Sequence, residues 1–203
     1  MEDRLIENKA FRVILLGINE IVGENGLKSV LNYSGLTKYI DNLPPNDAEK
    51  GGTRISDVTR LEMAIEEIFG KQGSRAILLQ VGRMIAREGL EANPDVAQAA
   101  KSAFSTMSEY DRVKTILTYA ASTVTKQLDT ETWVEEEGED FLYKDKASTY
   151  CFGRNSDAPV CHPVDGFLAA LVAWAVDNSG WKAKETTCMA MGEPQCTYRI
   201  SKR

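Results

Sequence analysis

The chain has 203 residues, 43% of them apolar and 27% charged, with a net charge of −6. That length suits one domain with a core of its own. Surplus acid argues against a nucleic-acid surface, which clusters Lys and Arg, and against docking on anionic lipid.

The N-terminus, Met1-Glu2-Asp3-Arg4-Leu5, begins acidic and lacks the apolar core of an export signal. The longest apolar run, residues 167–176, is too short to span a bilayer. The expected compartment is therefore cytoplasmic and reducing, which favours free or metal-bound thiols over disulfides.

Residues 6–22 place Phe11, Ile14, Leu15, Ile18 and Ile21 or Val22 at helical spacing, and Gly23-Glu24-Asn25-Gly26 should stop that helix. A short helix over 27–33 and a brief apolar face at Leu36, Tyr39 and Ile40 follow. Residues 42–54 hold Pro44-Pro45 and Gly51-Gly52 in polar surroundings and read as a surface loop. Ser56 can cap a helix running to Phe69 and ending at Gly70. Helices are expected over 73–91, where Gly82 marks close packing, over 94–103 from Pro94, and over 109–128 from a Ser108 cap.

After residue 129 the pattern changes. Residues 130–135 and 141–145 read as strands of a hairpin. Its acidic tip, residues 135–140, lacks the Asp/Asn and Gly positions of a calcium loop and reads as a solvated turn. Residues 150–160 are irregular. Residues 164–178 form the most apolar helix, expected to be central and buried. Strands over 181–188 and 196–201 finish the chain. Helices first, then strands around a helix, predict an α+β fold: N-terminal helices packed with a small antiparallel sheet and a buried C-terminal helix.

Catalytic signals are missing. Neither a Walker-type nor a dinucleotide-binding glycine loop occurs, and the one histidine, His162, adjoins a cysteine. An enzyme is not expected. The scarce chemistry is in the cysteines: Cys151, Cys161, Cys188 and Cys196, the last two at C-x7-C spacing around Gly192 and Pro194. They allow a metal site, disulfides, or buried small hydrophobes. His162 could be a ligand, a donor behind one, or a capping residue.

The stretches Cys151-Phe152-Gly153-Arg154, Ala158-Pro159-Val160-Cys161-His162, Gly166 to Leu171, and Glu185-Thr186-Thr187-Cys188 through Cys196-Thr197-Tyr198-Arg199-Ile200 resemble a V4R (4-vinyl-reductase, hydrocarbon-binding) domain. That family is related in fold to vesicle-tethering subunits of the Golgi. The resemblance implies a single domain over 1–203: residues 1–55 as a helical, dimerising part, 56–203 as the ligand-binding part, and 151–196 as the metal segment. It also implies a structural zinc on Cys161, Cys188, Cys196 and Glu185, with Cys151 as the alternative fourth ligand. On a regular strand Glu185 and Cys188 face opposite sides, so a bulge is needed for both to ligate.

The implied function is sensing or carrying a small hydrocarbon or aromatic ligand, as a homodimer that signals through a protein partner. Candidate ligand residues are Trp133, Tyr143, Phe104, Tyr119, Phe167 and Trp174, with Trp133 and Tyr143 singled out as aromatics bearing polar handles. The alternatives are a tetrapyrrole carrier or vinyl-reductase accessory factor of bacteriochlorophyll synthesis, and a scaffold or tethering subunit without a free ligand.

Overall fold

A computed structural model describes residues 2–128, 130–177 and 180–202. Helices α1 (Asn8–Tyr33), α2 (Ile55–Glu91), α3 (Pro94–Phe104) and α4 (Glu109–Leu128) precede the hairpin β1 (Thr132–Glu137) and β2 (Asp140–Asp145). Helix α5 (His162–Val176) and strands β3 (Trp181–Thr187) and β4 (Cys196–Lys202) complete it. The four strands form one antiparallel sheet in the order β1-β2-β4-β3. The α+β expectation holds.

Two glycines bend the helices where the sequence predicts stops. Gly23 at φ 74° and Gly70 at φ 71° interrupt α1 and α2, and each helix resumes directly. Glycine reaches positive φ without a Cβ clash, so one residue redirects the axis. The predicted separate helices are thus halves of kinked ones.

The α2 start differs from the predicted cap. Ser56 does not cap it: the Asp57 carboxylate accepts the Arg54 N–H at 3.0 Å, and Asp3 accepts both the N–H and the hydroxyl of Ser56. Ser108 does cap α4, accepting the Asp111 N–H at 3.1 Å. Loop 42–54 is tied to α1, since Asn8 accepts the Gly51 N–H and donates to Asp47. The acidic hairpin tip is matched by cations: Glu135 pairs with Lys144, Glu136 with Lys114, and Glu137 and Asp140 with Arg199.

Apolar side chains bury in two clusters. One joins α1 to the first two-thirds of α2 around Phe11, Leu15, Ile18, Leu31, Leu61 and Ile65. The other joins α4, α5 and the sheet around Leu117, Phe141, Leu168, Val172 and Tyr198, and it includes all four cysteines. Helix α5 bridges them by packing closely on α2. A Cβ on Gly82 would lie 1.9 Å from the Pro163 carbonyl oxygen, and one on Gly166 would lie 2.0 Å from that of Leu79. Only glycine fits at either point, as the sequence suggests for Gly82. The predicted end of α5 at Asn178 lies outside the described residues.

Candidate metal centre

Four elements deliver the cysteines to one point. Cys151 ends a 3-10 turn that follows β2, and Cys161 is the N-cap of α5. Cys188 follows β3, and Cys196 opens β4 opposite Asp145 of β2. Between the last two, Gly192 at φ 87° closes the turn. All four are buried, unbridged, and have sulfurs within 4.8 Å of one another.

The spacing separates two of the three readings, disulfide and metal. A disulfide needs sulfurs about 2.05 Å apart. Four thiolates about 2.3 Å from a tetrahedral zinc lie about 3.8 Å apart along each edge. Four of the six Sγ separations are 3.6 Å for Cys151–Cys196, 3.8 Å for Cys161–Cys188, 3.8 Å for Cys161–Cys196 and 3.9 Å for Cys188–Cys196. Donors also aim at the sulfurs: the Ser148 hydroxyl reaches Cys161 at 3.3 Å and the Met189 N–H reaches Cys196 at 3.4 Å. Hydrogen bonds from Cys151, Cys161 and Cys196 push the Cys188 thiol down, whereas burial pushes Cys161 up. A cation at the centre would let all four ionise.

A register shift between Glu185 and Thr187 in β3 supplies the bulge. It turns both Glu185 and Cys188 inward, and both are buried. Glu185 Oε2 accepts the Cys161 N–H at 2.8 Å, while Oε1 has no partner. Burial, then the neighbouring Cys188, raises its carboxyl to about 9. The Glu185 N–H donates in turn to Asp165 at 2.6 Å, and burial raises Asp165 to about 7. His162 begins α5, where burial and then Arg75 lower it to about 4; its Nδ1 is buried without a partner.

Sequence reasoning missed Asp165, Arg154 and Ser148. Asp165 did leave a signal, as the single acid within an otherwise apolar helix. Arg154 donates to Glu66 at 2.8 Å and lies 3.5 Å from Glu62, whose carboxyl burial raises well above its usual range.

The six aromatic candidates do not converge on one point. Phe104, Tyr119 and Trp174 line a cavity of about 120 Å³ with Leu90, Val96 and Ile116. Phe104 meets Trp174 edge-on at 5.9 Å. Trp133 and Tyr143 are not brought together: Trp133 is opposite Lys144, so strand alternation points it and Tyr143 to opposite faces. Trp133 donates to Glu135 at 2.8 Å under Lys144 and Lys146, whereas Tyr143 is buried against Tyr198. Phe167 is half-buried against the sheet-side cluster.

This arrangement of helices and sheet is that of an H-NOX-like α+β fold. Two solved structures with it are an unliganded Fe(II) H-NOX protein from K. algicida and an Fe(II)NO H-NOX protein from S. oneidensis. The first is 12% identical with a TM-score of 0.59, covering 98% of this chain and 97% of that one. The second is 14% identical with a TM-score of 0.59, covering 95% and 98%. The phenol-responsive sensory domain of the transcription activator PoxR, solved with phenol, is 17% identical with a TM-score of 0.53 and covers 76% and 79%. At such identities the likeness is one of fold. No family model matches the chain, and no curated protein does.

These neighbours correct the expected kinship. The V4R and Golgi-tethering assignment has no support among the fold neighbours, which are H-NOX domains and the PoxR sensory domain. The motif behind it lies in the C-terminal quarter of the chain, whereas the fold is set along its whole length.

The H-NOX neighbours raise the question of heme, and neither the one histidine nor the four cysteines fit one. Heme iron takes an axial His, Cys, Met or Tyr within a pocket shaped to the ring. His162 faces a cleft lined by Lys71, Arg75, Arg154, Glu66, Asp165 and Glu185. Beside it, α2 and α5 touch backbone to backbone at Gly82 and Gly166, which leaves no slot for a flat macrocycle there. The cysteine sulfurs face one another across a space suited to a single ion.

Proposed function

We propose that this chain is a small-molecule sensing or carrying domain whose C-terminal half is clamped by one structural zinc on Cys151, Cys161, Cys188 and Cys196. The observation that carries the clamp is that four of the six sulfur separations are 3.6–3.9 Å, like the edges of a zinc–thiolate tetrahedron, with all six within 4.8 Å. In this reading Cys151 is the fourth ligand, and Glu185 positions Cys161 through its N–H. Four protein ligands leave no open position for a water nucleophile, so the site holds structure rather than performing hydrolysis. The metal joins β4 and the β3 end to the start of α5 and to the turn after β2.

The fold shared with ligand-sensing domains supports the sensing half of the proposal. Phe104, Tyr119 and Trp174 offer an aromatic ring-sized recess for an apolar ligand. A homodimer would draw on Leu16 and Ile21, which α1 leaves partly exposed. Signal output would pass to a protein partner.

Elemental analysis with native mass spectrometry tests the clamp. One zinc per chain is expected. Cys151→Ser, Cys188→Ser and Cys196→Ser should each lose the metal and about 3 kcal/mol or more of stability, because structural zinc binding contributes directly to folding. Glu185→Gln should keep the zinc. Full metal content and unchanged melting in the cysteine variants would sink the clamp, while zinc lost from Glu185→Gln but kept in Cys151→Ser would exchange the fourth ligand.

A further inference from the structure

We propose that the cleft between α2 and the start of α5 binds a small organic anion that also carries a hydroxyl or amide group at its far end. The cleft has a volume of about 340 Å³. That falls within the roughly 300–1,000 Å³ of small-molecule sites. It is separate from the aromatic recess on α3 and α4, and nothing in its lining is a cysteine.

Three features fix the ligand's chemistry. The mouth carries Lys71, Arg75 and Lys184, all exposed and none in an ion pair among the described residues. Arg154, the fourth cation, is held by Glu66 and Glu62. Leu78, Ala158, Pro159 and Val160 add apolar lining. The floor is Glu185, only 2% exposed, whose Oε1 has no hydrogen-bond partner. His162 Nδ1 is a second buried atom without one. Buried polar atoms are rarely left unsatisfied, so a group reaching Oε1 from the cleft replaces a missing bond.

A ligand matching all three features has an anionic head, an apolar body and a polar tail. The head pairs with Arg75 and Lys184, where a carboxylate suits the planar guanidinium. The body lies along Pro159 and Val160, and the tail meets Glu185. A bare inorganic anion would use the mouth alone, and a neutral phenol the floor alone.

The test uses the zinc-loaded full chain, calorimetric titration, and 4-hydroxybenzoate as the probe, with benzoate, phenol and inorganic phosphate as controls. The two-ended probe should bind at least about tenfold more tightly than phenol, the difference one charge-assisted hydrogen bond makes, and several-fold more tightly than benzoate, which leaves Glu185 Oε1 unpaired. Arg75→Gln and Lys184→Gln change exposed side chains and should each weaken the probe several-fold without affecting phenol. Lys126→Gln, on α4 and outside the lining of both cavities, should leave the probe unaffected. The proposal fails if millimolar 4-hydroxybenzoate gives no saturable binding, if Arg75→Gln binds it as the native chain does, or if phosphate displaces it at equal concentration. Zinc measured on each sample separates these outcomes from loss of the clamp.

Discussion

Asp165 has an environment at odds with its sequence context. It is an acid in the first turn of the most apolar helix, buried, and it accepts the Glu185 N–H at 2.6 Å. Burial raises its carboxyl from an ordinary 3.8 to about 7, against the opposing effect of that hydrogen bond. The folded state therefore binds this proton more tightly than the unfolded state. The stability linked to Asp165 is complete below about pH 3.8 and is lost as pH rises through 7. Asp165→Asn keeps an acceptor without the charge. Its melting temperature relative to the native chain should climb between pH 4 and 7 and then level, reaching roughly 2–4 kcal/mol of relative stabilisation. A difference between the two proteins that does not vary with pH would show that Asp165 ionises normally. At this scale the sequence displayed the four cysteines and the need for a bulge at Glu185. It could not display Asp165 as a support for β3, because that role depends on a strand twenty residues away.

At the scale of elements, contact between α2 and α5 depends on two glycines that let backbones meet. Gly82 was legible as a packing glycine inside a helix, and Gly166 is its counterpart on α5. Gly82→Ala would drive a methyl group to 1.9 Å from the Pro163 carbonyl oxygen. The helices must then part, at a cost of about 2–4 kcal/mol. Urea denaturation should show a lower midpoint, and an unchanged midpoint would mean that the two helices do not meet so closely. The same separation would disturb the start of α5, where Cys161 and His162 sit. Strand and helix types were readable from period and turn residues, whereas the kinks at Gly23 and Gly70 were not. A glycine marks a possible break, but the packing of the flanking apolar faces decides whether the helix ends or resumes.

Across the whole molecule, the cysteine segment belongs to one of the two apolar clusters. All four cysteines lie in the cluster of α4, α5 and the sheet, and none in the cluster of α1 and α2. Domains open in cooperative units, so loss of a tie within one unit should loosen that unit first. If the proposed zinc is bound, stripping it with a chelator should therefore speed amide exchange in β3, β4 and the first turn of α5, while the Phe11–Leu31 part of α1 stays protected. Uniform loss of protection would show instead that the clusters unfold together. Among the described residues, no helix is long and apolar enough to cross a membrane.

The sequence by itself determined the alternation of helices and strands, the α+β class, the burial of α5 and the four cysteines as candidate ligands. Those properties follow from local period, turn chemistry and residue type. The tertiary structure decided the pairing order β1-β2-β4-β3, which is a choice among distant edges. It decided that Cys151 joins the other three sulfurs, and that Trp133 and Tyr143 face opposite ways. It also overturned a kinship drawn from one cysteine-rich segment. A metal-ligand motif occupies a few turns of chain and can be read locally, whereas the fold is fixed by which apolar faces meet along the full length.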